Sequence, residues 1–92
     1  MEYKFEKDYL YSINPQGELT LISKTAIRSI RTISLINLDR RVYRVEVLVY
    51  FNNLDNGDHT IIFAKNFESL AELEENLKIQ SKFILENWQY TT

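Results

Sequence analysis

Residues 55–59, Asp55-Asn56-Gly57-Asp58-His59, crowd carboxylate and amide oxygens around a glycine and follow them with the only histidine of the chain. Such a stretch could ligate a hard cation or cradle a phosphate. An EF-hand-type calcium loop needs oxygen ligands at alternate positions over about twelve residues, a central glycine and a closing glutamate. Counting from Asp55, the closing position is Asn66, reached through the apolar run Ile61-Ile62-Phe63, so the motif fails. A lone histidine without any cysteine cannot build the usual zinc site. Asn-Gly between two apolar runs instead signals a hairpin turn, because the type I′ geometry needs positive φ at both central residues. Carboxylates are plentiful and a pair such as Asp55 with Asp58 is of the type that does acid–base work, but no nucleophile elbow, phosphate loop or nucleophile–base set completes a site. The chain reads as non-catalytic, with no metal and no cofactor.

Two other groups of side chains could carry recognition. All five arginines, Arg28, Arg31, Arg40, Arg41 and Arg44, fall within one short stretch, while the lysines scatter. The guanidinium fork suits phosphate and carboxylate, so the cluster points to an anionic ligand, nucleotide or nucleic acid. Against this, Tyr43 is the one aromatic nearby for base stacking, and salt bridges to the acidic C-terminal segment or protection of a sheet edge account for the arginines better. The second group is aromatic. Tyr3, Tyr9 and Tyr11 near the start and Trp88 near the end are residue types that dominate protein interfaces, since each joins a large apolar area to a polar tip. In a small sheet the same residues also serve as ordinary core and cover.

These groups must be positioned by a small framework. Ninety-two residues with 45% apolar and 26% charged content suit one domain spanning 1–92. Cysteine is absent, so neither disulfides nor thiolates contribute. The first residues carry charges where a signal peptide would be apolar, and no run approaches the roughly 18 apolar residues of a membrane span. The expected setting is cytoplasmic.

From Tyr3 to Ile13 the odd positions are mostly apolar or aromatic and the even ones mostly polar, which predicts a strand with its odd face buried, broken near Lys7-Asp8. Asn14-Pro15-Gln16-Gly17 predicts a turn, and Leu19–Ile22 a short strand. Thr25–Leu38 satisfies neither period, and suggests two short strands with a bulge near Arg31-Thr32. A turn at Asp39-Arg40 leads into the clearest strand, Arg41 to Phe51, whose odd face should be core. His59–Ala64 is the next strand, with Ile62 opposite Ile61 and Phe63. The period then changes. Phe67, Leu70, Leu73, Leu77, Ile84 and Trp88 recur at helical spacing, so a helix is expected from about Phe67 to about Gln89 with Asn66 as its cap and Ile79 and Phe83 off the main stripe. The class is α+β: a bent antiparallel sheet or partly open barrel of about five to six strands, then one long C-terminal helix.

The segment Ile61-Ile62-Phe63-Ala64-Lys65-Asn66-Phe67-Glu68-Ser69-Leu70, with the helix after it, resembles the end of small bacterial and phage pleckstrin-homology-like domains. In those a hairpin strand runs through a phenylalanine-containing link into one helix that covers an open end of a bent sheet. The resemblance implies a binding platform without naming a ligand. The reading that follows is a binding module that engages a protein partner or its own copy, with Tyr3, Tyr9, Tyr11 and Trp88 as candidate contacts. Its size and style suit an accessory or inhibitory protein of a phage or mobile element. The alternative is an anion binder using Arg28, Arg31, Arg40, Arg41 and Arg44.

Overall fold

The computed structural model describes residues 2–52 and 58–88. Strands β1 (Glu2–Phe5), β2 (Tyr9–Ile13) and β3 (Leu19–Ser23) form one antiparallel sheet in the order β1-β2-β3. A 3-10 turn, Lys24–Ala26, leads to the second sheet, β4 (Ile27–Asn37), β5 (Val42–Phe51) and β6 (His59–Phe67), ordered β4-β5-β6. Helix α1 (Leu70–Trp88) follows and packs on the second sheet. The α+β class and strand number agree with the sequence expectation. The strands divide into two three-stranded sheets, and neither closes into a barrel.

The core lies between the sheets and under the helix. Leu10 and Ile22 of the first sheet meet Ile27, Val47, Val49 and Ile62 of the second and Ile84 of α1. Val45, Val47 and Val49 are all fully buried, so the odd face of β5 is core as its alternation requires. In β6 the register slips where β5 passes from Val47 to Leu48: Val47 pairs with Phe63 and Leu48 with Ile61, leaving Ile62 as the extra residue. A bulge of this kind lets two consecutive side chains share a face. Ile62 is thus fully buried while Phe63, expected opposite it, also packs against the core.

The N-terminal parity is corrected by the pairing. Phe5 lies opposite Leu10 and Tyr3 opposite Ser12, so each pair encloses an even number of residues, and cross-strand partners share a face. Odd residues of β1 therefore share the inner face with even residues of β2. Leu10 and Ser12 are buried, whereas Tyr9 and Ile13 are exposed, the reverse of the single odd-faced strand expected across this segment.

The turn at Asn14–Gly17 forms as expected. Gly17 N–H donates to the Asn14 carbonyl at 2.9 Å, and the Asn14 side-chain oxygen accepts from the amides of Gln16 (3.0 Å) and Glu18 (2.9 Å). Gly17 sits at φ 85°, and a methyl there would meet no atom within 4 Å. Gly17→Ala is accordingly expected to cost about 1–2 kcal/mol from backbone conformation alone, seen as a lower urea midpoint with unchanged slope.

Three further boundaries move. Thr25–Leu38 yields one eleven-residue strand rather than two, with its irregularity at Ile27/Ser29 and not at Arg31-Thr32. Thr32 and Ser34 pair with the buried Val47 and Val45, so hydroxyl residues occupy inward positions and blur the period. Strand β6 keeps pairing with β5 as far as Tyr43–Phe67, which takes Asn66 and Phe67 out of the helix. Ser69 replaces Asn66 as cap: its hydroxyl accepts from the Glu72 amide at 3.2 Å, while the Glu72 carboxylate accepts from the Glu68 amide at 3.1 Å. The turn residues Asp55, Asn56 and Gly57 and the proposed helix end at Gln89 lie outside the described residues.

Candidate interaction surfaces

The parity inversion turns a set of apolar side chains outward on the first sheet. Ile13 pairs with Leu19 and Tyr11 with Leu21, which puts all four on the outer face with Tyr9 beside them. Exposure is 44% for Tyr9, 39% for Ile13, 57% for Leu19 and 52% for Leu21. Scattered surface leucines are ordinary, but contiguous apolar patches on monomers are small and frequently functional. Tyr11, Ile13 and Leu19 line a depression of about 440 Å³ together with Glu2, Tyr3 and Lys4. The Lys4 ammonium lies 5.3 Å from the centre of the Tyr11 ring and pairs with Glu6 at 3.2 Å, so charge borders one side of the apolar surface.

The aromatic residues singled out in the sequence separate into two locations. Tyr9 and Tyr11 stand on this outer face. Tyr3 and Trp88 point inward: Tyr3 makes edge contacts with Phe5 (6.1 Å), Phe63 (6.1 Å) and Phe83 (5.5 Å), and Phe5 lies 6.2 Å from Trp88. This cluster ties β1 to β6 and α1. Phe83, off the main helical stripe, is what widens the helix's buried face here. The Tyr3 hydroxyl donates to the Gln80 side-chain oxygen, and burial pushes its ionisation above the ordinary phenol range.

A raised phenol pKa means that the folded state keeps the proton where the unfolded chain has released it. The stabilising contribution is therefore complete below about pH 10, the unfolded value, and is lost as pH rises above it. Tyr3→Phe is expected to lower stability by about 1 kcal/mol at neutral pH through loss of the Gln80 hydrogen bond. It is also expected to flatten the alkaline loss of stability, measured by urea titrations at pH 7 and pH 11.

The arginines spread along the β4–β5 ribbon. Arg28 is exposed near the start of β4. Arg31 lies with its guanidinium 5.1 Å from the centre of the Tyr50 ring, and Tyr50 in turn lies 5.4 Å from the His59 ring. Arg44 donates to Glu46 at 2.9 Å and to Asn66 at 3.3 Å. Arg40 and Arg41 stand at the β4–β5 turn, where Arg41 has φ 54°. Six residues of strand, 32–37, separate Arg31 from the turn that carries Arg40, a span of roughly 20 Å at the usual rise. The ribbon thus keeps these five groups from converging on one small anion. The turn expected at Asp39-Arg40 forms at residues 38–41 and places Arg40 and Arg41 at the far end of the ribbon.

Asp58 and His59, the described residues of the oxygen-rich stretch 55–59, hold the ends of two strands together. The Asp58 carbonyl accepts from the Phe51 amide at 3.0 Å and His59 opens β6 opposite Tyr50, so the two strands pair as a hairpin, with a connection longer than the two-residue turn expected at Asn56-Gly57. Among the described residues, no group of three or more His, Asp or Glu side chains could hold a metal ion, and no helix is long and apolar enough to cross a membrane.

Fold and surface together define a small α+β protein of two antiparallel meanders and a C-terminal helix, with an apolar outer face on the first sheet. Comparison with protein families, with curated proteins and with solved structures finds no match to this chain.

Proposed function

We propose that this chain is a non-catalytic binding module that engages a protein partner through the outer face of β1–β3. The observation that carries the reading is the contiguous exposure of Tyr9, Ile13, Leu19 and Leu21 beside Tyr11. Burying such side chains is worth roughly 25 cal/mol for each Å² removed from water, and tyrosine and leucine flanked by a lysine–glutamate pair give an apolar centre with a polar border, as protein interfaces have. The reading keeps the pleckstrin-homology-like resemblance as its fold relationship: such domains act mostly as platforms. It also places the module in the cytoplasm, as an accessory or inhibitory protein of a phage or mobile element. These steps rest on the helix link, the cysteine-free composition and the small size.

The test is affinity capture from a host lysate, with and without nuclease, washed at low and at high salt. A protein partner recovered in stoichiometric amount after nuclease and high salt is the expected result, since apolar association persists as salt rises. Recovery of nucleic acid that salt or nuclease removes would overturn the proposal in favour of the arginines, because phosphate contacts weaken steeply with salt.

A further inference from the structure

We infer that two copies of this chain associate through the opposite end of the molecule, each inserting its β4–β5 hairpin tip into the groove between β6 and α1 of the other. The tip extends past the third strand by one residue pair and the turn: β4 and β5 pair out to Asn37–Val42, whereas β6 stops at Phe67, opposite Tyr43. Every residue from Leu35 to Val42 is exposed. Four of them are large and apolar, with exposures of 46% for Leu35, 46% for Ile36, 68% for Leu38 and 40% for Val42. Leu35 and Ile36 lie level with Asn66 and Phe67 at the end of β6 and, being adjacent, point to opposite faces, which makes the base of the tip apolar on both sides. Arg40 and Arg41 cap it, and no ion pair engages either among the described residues.

The receiving groove has the complementary character. It is an open depression of about 760 Å³ in which Phe67, Ala71 and Ile79 stand among Asn66, Asn76 and the carboxylates of Glu68, Glu72 and Glu75. Ile79 is 53% exposed there. Lys65 also borders the groove, with its ammonium 5.4 Å from the centre of the Phe67 ring, so the lining carries three carboxylates against one ammonium. Glu72 is engaged at the start of the helix through the Glu68 amide. Glu68 and Glu75 remain for the guanidinium groups of an incoming Arg40 and Arg41. A basic tip carrying Leu38 and Val42 thus meets an acidic groove that holds three apolar side chains.

A second copy is the occupant because of where the two features lie. Tyr43 pairs with Phe67 and Arg44 with Asn66, so tip and groove share one end of the chain. The arm cannot fold back into its own groove while Asn37–Val42 pairing holds it straight. A twofold axis across this end delivers each tip to the other copy's groove in a single self-complementary contact. The first sheet takes no part, so failure of this inference leaves the proposal for the β1–β3 face standing, and the reverse also holds.

Sedimentation velocity over a micromolar concentration series tests it with charge reversals at either side. Wild type is expected to pass from monomer to dimer. R40E/R41E alone and E68K/E75K alone are each expected to weaken the dimer at least tenfold, and an equimolar mixture of the two variants to restore it, since every tip then meets a groove of opposite sign. Leu38→Ser changes no charge and is expected to weaken self-association by a similar factor, with the helical circular dichroism signal retained. A wild type that stays monomeric throughout, reversals that leave the dimer intact, or a mixture of folded variants that stays monomeric would each overturn the inference.

Discussion

Truncating Leu10 to alanine is expected to remove roughly 2–5 kcal/mol of stability, whereas truncating its neighbour Tyr9 costs no more than about 1 kcal/mol. Leu10 is fully buried, facing Phe5 and Ile22 across the first sheet and joining the core with Val47, Val49 and Ile62. A chain of this length has on the order of 5–14 kcal/mol in total, so the Leu10 variant loses a large share of it. Urea denaturation of the two variants reads the contrast directly. The order of the effects tests the inversion of parity between β1 and β2: an odd-faced N-terminal strand would make Tyr9 the costlier position, and the outer surface would then carry Leu10 instead of the tyrosines.

The second large effect is on binding. Replacing both Leu19 and Leu21 by lysine is expected to weaken the captured partner at least about 100-fold, or roughly 2.7 kcal/mol, because each change removes an apolar contact and sets an unpaired ammonium against an apolar surface. Both residues are more than half exposed on the edge strand β3, and lysine is a natural occupant of such edges. The fold should therefore change by little more than about 0.5 kcal/mol per site. Titration of the isolated partner, alongside urea melts of the variant, separates the two quantities. Full affinity in a folded variant would exclude this face.

Much of the framework was legible because its signals were local. The odd-position valines of β5 announced a core strand, Pro15 and Gly17 announced a turn, and the change from period two to helical spacing after residue 66 announced α1. What misled was pairing, which a single sequence does not contain. Whether Tyr9 or Leu10 faces inward depends on the register between Phe5 and Leu10, and the candidate surface follows from that register. The inward Thr32 and Ser34 hid a long strand, and the Val47/Leu48 bulge put Ile62 and Phe63 on one side. The helix start was readable in principle, since Ser69-Leu70-Ala71-Glu72 is a capping pattern. Asn66 competed with it only until β6 was seen to extend through Phe67. Among the aromatics, residue type pointed equally to Tyr3 and Tyr11. Only the contact of Tyr3 with Phe63 and Phe83 separates a residue that holds the fold together from one that faces out.

The most direct test of the central claim is hydroxyl-radical footprinting of the chain alone and in complex with its captured protein partner, read by mass spectrometry at individual side chains. The account predicts that Tyr9, Tyr11, Leu19 and Leu21 lose most of their oxidation in the complex, while the exposed Leu85 on α1 is oxidised as before. Protection confined to the helix or the β4–β5 tip, with Tyr9 and Leu21 still fully oxidised, would contradict it.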